Sequence, residues 1–165
     1  AGGNITVAYE TEVNAFAPMD AAGTITNTAV VSGGGITPIT VTETIGTEST
    51  PILTITKSVS PVPVTENGTL TYTFLIQNAG SAPADIGTDA VIVDTFNPLL
   101  SNLAVSFNGT AWAETTNYTY DETTGVFTTI AGQITVPAAT YTQNPATGVW
   151  TADPGVSTLV VKGTI

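Results

Sequence analysis

Two lysines, no histidine and no cysteine limit the chemistry open to this chain of 165 residues. The commonest general base and transition-metal ligand is missing. So are thiolate catalysis, zinc knuckles and disulfides. What remains is a small set of amines, carboxyls and amides, and strand position decides whether they meet. Lys57 shares parity with Leu53, Ile55 and Val59; Asp94 shares it with Ile92 and Phe96; Asn27 shares it with Ile25, Ala29 and Val31. Side chains alternate across a strand. Three polar groups on three strands are thereby placed on core-facing positions, where they must satisfy one another. One arrangement is a buried Lys57–Asp94 pair hydrogen-bonded to the Asn27 amide. The sharper one is a spontaneous Lys57–Asn27 isopeptide crosslink. Burial would favour a neutral, nucleophilic Lys57 amine and a protonated Asp94 carboxyl. The carboxyl would polarise the Asn27 carbonyl and carry the proton as ammonia leaves.

The other polar residues read more plainly. Lys162 lies opposite Leu159, Val161 and Ile165, so it is expected in solvent. Asn78 ends a strand on the parity of Tyr72, Phe74 and Ile76 and is expected to form a turn; the alternative is a further partner for Lys57. Asp85, Asp89, Asp121 and Glu122 lack the ordered spacing of a calcium loop. Tyr118, Tyr120, Phe127, Tyr141 and Trp150 are read as cross-strand pairs in two hairpins, the alternative being a sugar-binding platform. Trp112 is ambiguous in the same way. Four Asn-X-Thr sequons, starting at Asn4, Asn67, Asn108 and Asn117, carry little weight because Thr is so common. A nucleophilic Ser or Thr has no base here, and paired carboxylates for glycoside hydrolysis cannot be placed. The chain is not expected to be an enzyme, and no cofactor or metal is expected.

Lys+Arg number 2 against 13 Asp+Glu, a formal net charge of −11. Such a chain has no means of neutralising phosphates, which argues against nucleic acid and against anionic membrane faces. No run of 18 apolar residues exists, so no transmembrane helix is expected. Charge is replaced by threonine, 34 of 165 residues, alternating with Val and Ile. Thr is β-branched and suits a pleated, half-buried surface.

Period-two alternation bounded by Gly, Pro and Asn marks strands over 5–13, 24–31, 36–45, 52–59, 70–76, 90–96, 103–107 and 158–165. Two hairpins carry Thr-Gly in the loop and an aromatic on the returning strand: Tyr118 to Phe127 and Tyr141 to Trp150. The expectation is an all-β, antiparallel sandwich of immunoglobulin-like type with Greek-key connections and no helix of ordinary length.

Leu53-Thr54-Ile55-Thr56-Lys57-Ser58-Val59-Ser60-Pro61, Thr71-Tyr72-Thr73-Phe74 leading to Gln77-Asn78-Ala79-Gly80, and Val91-Ile92-Val93-Asp94-Thr95-Phe96 resemble the bacterial and archaeal surface repeat called domain of unknown function eleven. Its closing pattern resembles Thr24-Ile25-Thr26-Asn27-Thr28-Ala29-Val30. The resemblance implies an immunoglobulin-like sandwich and cell-surface repeats. The Lys57, Asp94, Asn27 order is also similar to the opening-Lys, middle-acid, closing-Asn arrangement of isopeptide-bearing Gram-positive surface domains. This chain departs from the repeat in strand order, because its closing strands come first. Residues 1–45 therefore read as the tail of a sandwich, 46–51 as a linker and 52–165 as a body lacking its tail.

A body without its last strands exposes an apolar slot and unpaired edges that another chain can fill. Residues 1–45 could fill their own body or a neighbour's. Gly46 to Pro51 reaches barely ~20 Å, short for a return within one molecule. The leading expectation is a structural subunit of an extracellular filament or surface array whose partner is itself. The alternatives are a passive adhesin stalk repeat or a carbohydrate-binding module. A start at Ala1 without a leader reads as a processed product or an excised unit.

Overall fold

The computed structural model describes residues 5–18, 22–47 and 49–165. Twelve strands run through the described residues, in chain order β1 (Thr24–Gly33), β2 (Ile36–Gly46), β3 (Leu53–Ser60), β4 (Thr69–Asn78), β5 (Val93–Thr95), β6 (Ser101–Phe107), β7 (Thr110–Trp112), β8 (Tyr118–Tyr120), β9 (Val126–Thr129), β10 (Thr140–Gln143), β11 (Trp150–Asp153) and β12 (Gly155–Thr164). A single 3-10 turn, Ile86–Thr88, is the one helical element among the described residues. All named ladders are antiparallel.

The chain divides into two compact units: Ala1–Thr47 with Tyr141–Thr151, and Glu48–Thr140 with Ala152–Ile165. The second unit is a β-sandwich-like body. Its larger sheet has the order β3-β4-β12-β6-β7, and its smaller one β5-β9-β8. Alternation along β4 sends Leu70, Tyr72, Phe74 and Ile76 into the core with every second residue partly exposed. Leu159 and Val161 do the same from β12, and both are fully buried. The smaller sheet answers with Tyr118 and Phe127, whose rings stack at 5.3 Å. Phe96 packs between the layers, 4.7 Å from the Tyr72 ring and 5.8 Å from that of Phe127.

The first unit is built differently. β1 and β2 form a two-stranded hairpin turning at Gly34–Gly35, where Gly35 holds φ +88°, a left-handed conformation that a Cβ disfavours. β10 and β11 make a second hairpin, whose Trp150 N donates to Ala15 O at 3.1 Å.

Most expected strands are present, with differences at the margins. Residues 5–13 alternate correctly but join no ladder among the described residues. Alternation reports a strand's faces, whereas a ladder also needs a partner edge. The segment 90–96 keeps only three residues in its ladder, Val93 to Thr95 against Val126 to Thr128. The short β7 was not foreseen. It is set by the turn at Asn108 (φ 47°) and Gly109 (φ 80°), two left-handed residues in sequence that suit a tight hairpin.

The β8–β9 turn yields a pH prediction. Asp121 Oδ1 accepts from Thr123 N at 2.8 Å and Thr123 Oγ1 at 2.7 Å, and its Oδ2 from Thr124 Oγ1 at 2.8 Å. These bonds, Thr123's first, lower its pKa from 3.8 to about 2. A carboxyl with a depressed folded pKa contributes stability above its unfolded value and loses it as pH falls through the folded one. The melting temperature of Asp121→Asn should therefore lie below that of the parent at pH 6, and the gap should close between about pH 4 and pH 2. A gap independent of pH would contradict this role.

Candidate functional site

The body is open along one side. β3 ends the larger sheet and β5 ends the smaller, so each has an edge without a ladder partner among the described residues. Residues Leu53, Ile55, Lys57 and Val59 pair across to Asn78, Ile76, Phe74 and Tyr72 of β4, all buried. The β3 row thus faces inward with them. Yet Ile55 is 50% exposed, with Val59 at 39% and Leu53 at 37%. An apolar cleft of about 160 Å³ lies there, lined by Leu53, Ile55, Ile76, Ala90, Ile92 and Ile134 among others.

Lys57 and Asp94 bridge this opening. Asp94 projects from β5, and its Oδ2 forms an ion pair with Lys57 Nζ. Asp94 Oδ1 accepts from Thr95 N at 3.0 Å. The ammonium also lies over three rings: Tyr72 at 4.7 Å, Phe96 at 5.3 Å and Phe74 at 5.6 Å from the centroids. Ring faces attract a cation, most strongly where water is scarce. Burial, with the Asp94 charge second, raises the Tyr72 pKa above its usual value of 10.0.

Sequence parity places Lys57 inside, and its direction agrees. Its burial does not: the side chain is 39% exposed against 19% for Asp94, because no strand covers β3 among the described residues. Asn27 belongs to the other unit, where its Nδ2 donates to Tyr9 Oη at 2.5 Å. Thus Lys57 and Asp94 are brought together, and Asn27 carries a different partner.

The β1–β2 hairpin is two-faced. Its register pairs Ile25 with Ile45, Asn27 with Glu43, Ala29 with Val41 and Val31 with Ile39. Cross-strand partners share a face. One face is therefore an apolar stripe interrupted by a single polar row, Asn27 and Glu43. Thr26–Thr44 and Thr28–Thr42 occupy the other, with hydroxyls 3.3 and 3.2 Å apart. The stripe is exposed: Ile39 and Val41 at 61%, Ile45 at 68%. Tyr9 and Thr11 line a hollow at its Ile25–Ile45 end. Glu43 is the functional candidate that charge and parity alone do not single out, although it shares the row of Ile39, Val41 and Ile45.

The remaining expectations resolve individually. Asn78 is fully buried and closes the turn after β4, accepting from Gly80 N and donating to Ala82 O. Lys162 is exposed. Asp85 caps the 3-10 turn by accepting from Gly87 N at 2.9 Å, and Asp121 caps its own turn. No three acidic side chains converge as a metal site among the described residues. Tyr118 and Phe127 are interior, so a sugar platform cannot use those two rings. Tyr120 Oη accepts from Leu100 N at 2.9 Å, and Trp112 stacks on Phe107 at 4.9 Å.

No protein-family model, curated protein or solved structure matches this chain.

Proposed function

We propose that this chain is a structural subunit of an extracellular filament or surface array, assembled by donation of the β1–β2 hairpin to the open side of a neighbouring immunoglobulin-like body. The observation that carries the reading is a pair of complementary deficits. A body leaves its inward-facing β3 row uncovered, and an amphipathic hairpin leaves its apolar stripe uncovered. Isolated two-stranded hairpins are marginal in water, and exposed edges invite pairing with another chain. Burying five large hairpin side chains and the β3 row, at about 1.5–3 kcal/mol per fully buried residue, supplies on the order of 10 kcal/mol before ordering costs. That is comparable to a domain's whole stability.

Docking also offers a covalent option. With Asn27 brought to Lys57, Asp94 takes a proton from the ammonium, and the freed Nζ attacks Asn27 Cγ. Nζ gives up a second proton as the C–N bond to the Asn27 amide nitrogen breaks; that nitrogen takes one of the two protons and leaves as ammonia, Asp94 keeps the other, and a Lys57–Asn27 amide remains. Such a bond would staple a polymer that has no cysteines. A surface location fits the Thr-rich, weakly charged composition, and the quoted family resemblance points the same way.

Electron microscopy and gel filtration test the reading. The purified full chain should form fibres, and boiling in detergent should leave an oligomer ladder that Lys57→Ala collapses to monomer. A monomer at every concentration tested would favour a passive stalk repeat instead. Fibres that dissolve wholly to monomer, with no mass loss of ammonia, would retain the assembly and remove the crosslink.

A further inference from the structure

Resting on the assembly reading above, we propose that the occupant of the open side is the hairpin of a second copy in one register, held there by Glu43 of that copy against Lys57. Three observations converge. The inward row of β3 reads apolar, apolar, cationic, apolar: Leu53, Ile55, Lys57, Val59. The stripe of the hairpin reads apolar, apolar, polar, apolar from its turn to its base: Val31–Ile39, Ala29–Val41, Asn27–Glu43, Ile25–Ile45. The single polar row of each face stands at the same place, and the two carry opposite charge.

Adding β1 antiparallel to β3 extends the antiparallel order of the larger sheet. Val31, Ala29, Asn27 and Ile25 then stand opposite Leu53, Ile55, Lys57 and Val59. Glu43 lies one strand further out in the row of Lys57, within reach of a long side chain. A slip of one residue turns the stripe outward. A slip of two sets the Asn27–Glu43 row against Ile55 or Val59, burying the Glu43 charge without a partner. Charge complementarity thus selects one register among those that burial alone permits. Lys57 would be held between Asp94 of its own body and Glu43 of the incoming hairpin, over the rings of Tyr72, Phe74 and Phe96. The Asn27 contact with Tyr9 is exchanged in the process; Tyr9 is itself 67% exposed, so little packing is lost.

A charge swap tests this in the full-length chain. Glu43→Lys alone and Lys57→Glu alone should each raise the concentration needed for fibres by about ten-fold or more, because like charges meet at every junction. Mixed one to one, the two variants should copolymerise near the parent concentration, since each junction then pairs Lys with Glu. A second pair of variants guards against misfolding. The chain has no cysteine, so Asn27→Cys with Lys57→Cys should give a reducible ladder, and Asn27→Cys with Ile55→Cys should not. If Glu43→Lys assembles like the parent, the Glu43 contact is overturned while strand donation stands. A ladder from the Ile55 pair overturns the register. A disulfide closed within single chains means that each body takes its own hairpin, which overturns the second copy. If the parent itself never assembles, the assembly reading falls and this inference with it.

Discussion

Removal of residues 1–47 is expected to abolish fibres completely while leaving a folded, monomeric body. The buried core cluster, from Leu70 through Phe96 and Phe127 to Val161, lies wholly within residues 49–165. Truncation therefore removes no core side chain, and cooperative melting should persist. What goes is the donor. A synthetic hairpin of residues 22–47 should bind the truncated chain and, at about 100 times its dissociation constant, stabilise it by about 2.7 kcal/mol. For a chain of this size that is a rise on the order of 10 °C in melting temperature. Added to the full chain, the same peptide should cap growing ends and shorten the fibres. Calorimetry and electron microscopy read these outcomes. Fibres formed by the truncated chain would end the donation model.

Asn78→Ala is the point substitution expected to cost the most stability. The side chain is fully buried at the end of β4. Its Oδ1 accepts from Ile52 N and Gly80 N, both at 2.9 Å. Its Nδ2 donates to Ala82 O at 2.7 Å and Pro137 O at 3.0 Å. One amide thus closes the turn after β4, anchors the chain entering β3 and ties in residue 137 from far along the sequence. Alanine leaves four backbone groups without those partners. Each buried, unsatisfied group costs about 1–3 kcal/mol, and partial access of water brings the sum to roughly 3–5 kcal/mol. Asn78→Asp keeps the shape and the two acceptors but sets a carboxylate against two carbonyl oxygens. It should be no better than alanine at pH 7 and should recover part of the loss in acid, where the carboxyl can donate. Denaturant unfolding measures both. A loss below about 1 kcal/mol for Asn78→Ala would mean that the network is not structurally important.

The core-facing parity of β4 and β12 was legible because both neighbours of each strand lie in the same sheet, so alternation maps directly onto burial. The turn role of Asn78 was legible from its place at the end of that row. The loop hairpins were legible from Thr-Gly flanked by aromatics, since local turn chemistry needs no distant partner. Residues 5–13 show where that logic stops. Their alternation is as regular as that of β1, but nothing local supplies the second strand of a ladder.

The site divides along the same line. Parity alone put Lys57 and Asp94 on inward faces, because side-chain direction is a property of the single strand. That Lys57 meets Asp94 across an open mouth, above three rings, depends on β3 and β5 ending their two sheets on the same side. So does its exposure, which parity read as burial. Glu43 needed the β1–β2 register before it could be seen as Asn27's neighbour. The amino-acid order by itself determined the all-β character, the inward rows and the absence of thiol and imidazole chemistry, each a matter of residue type and spacing. Tertiary structure alone decided which edges stayed open and which polar groups met, because both follow from strand pairing between residues far apart in the chain.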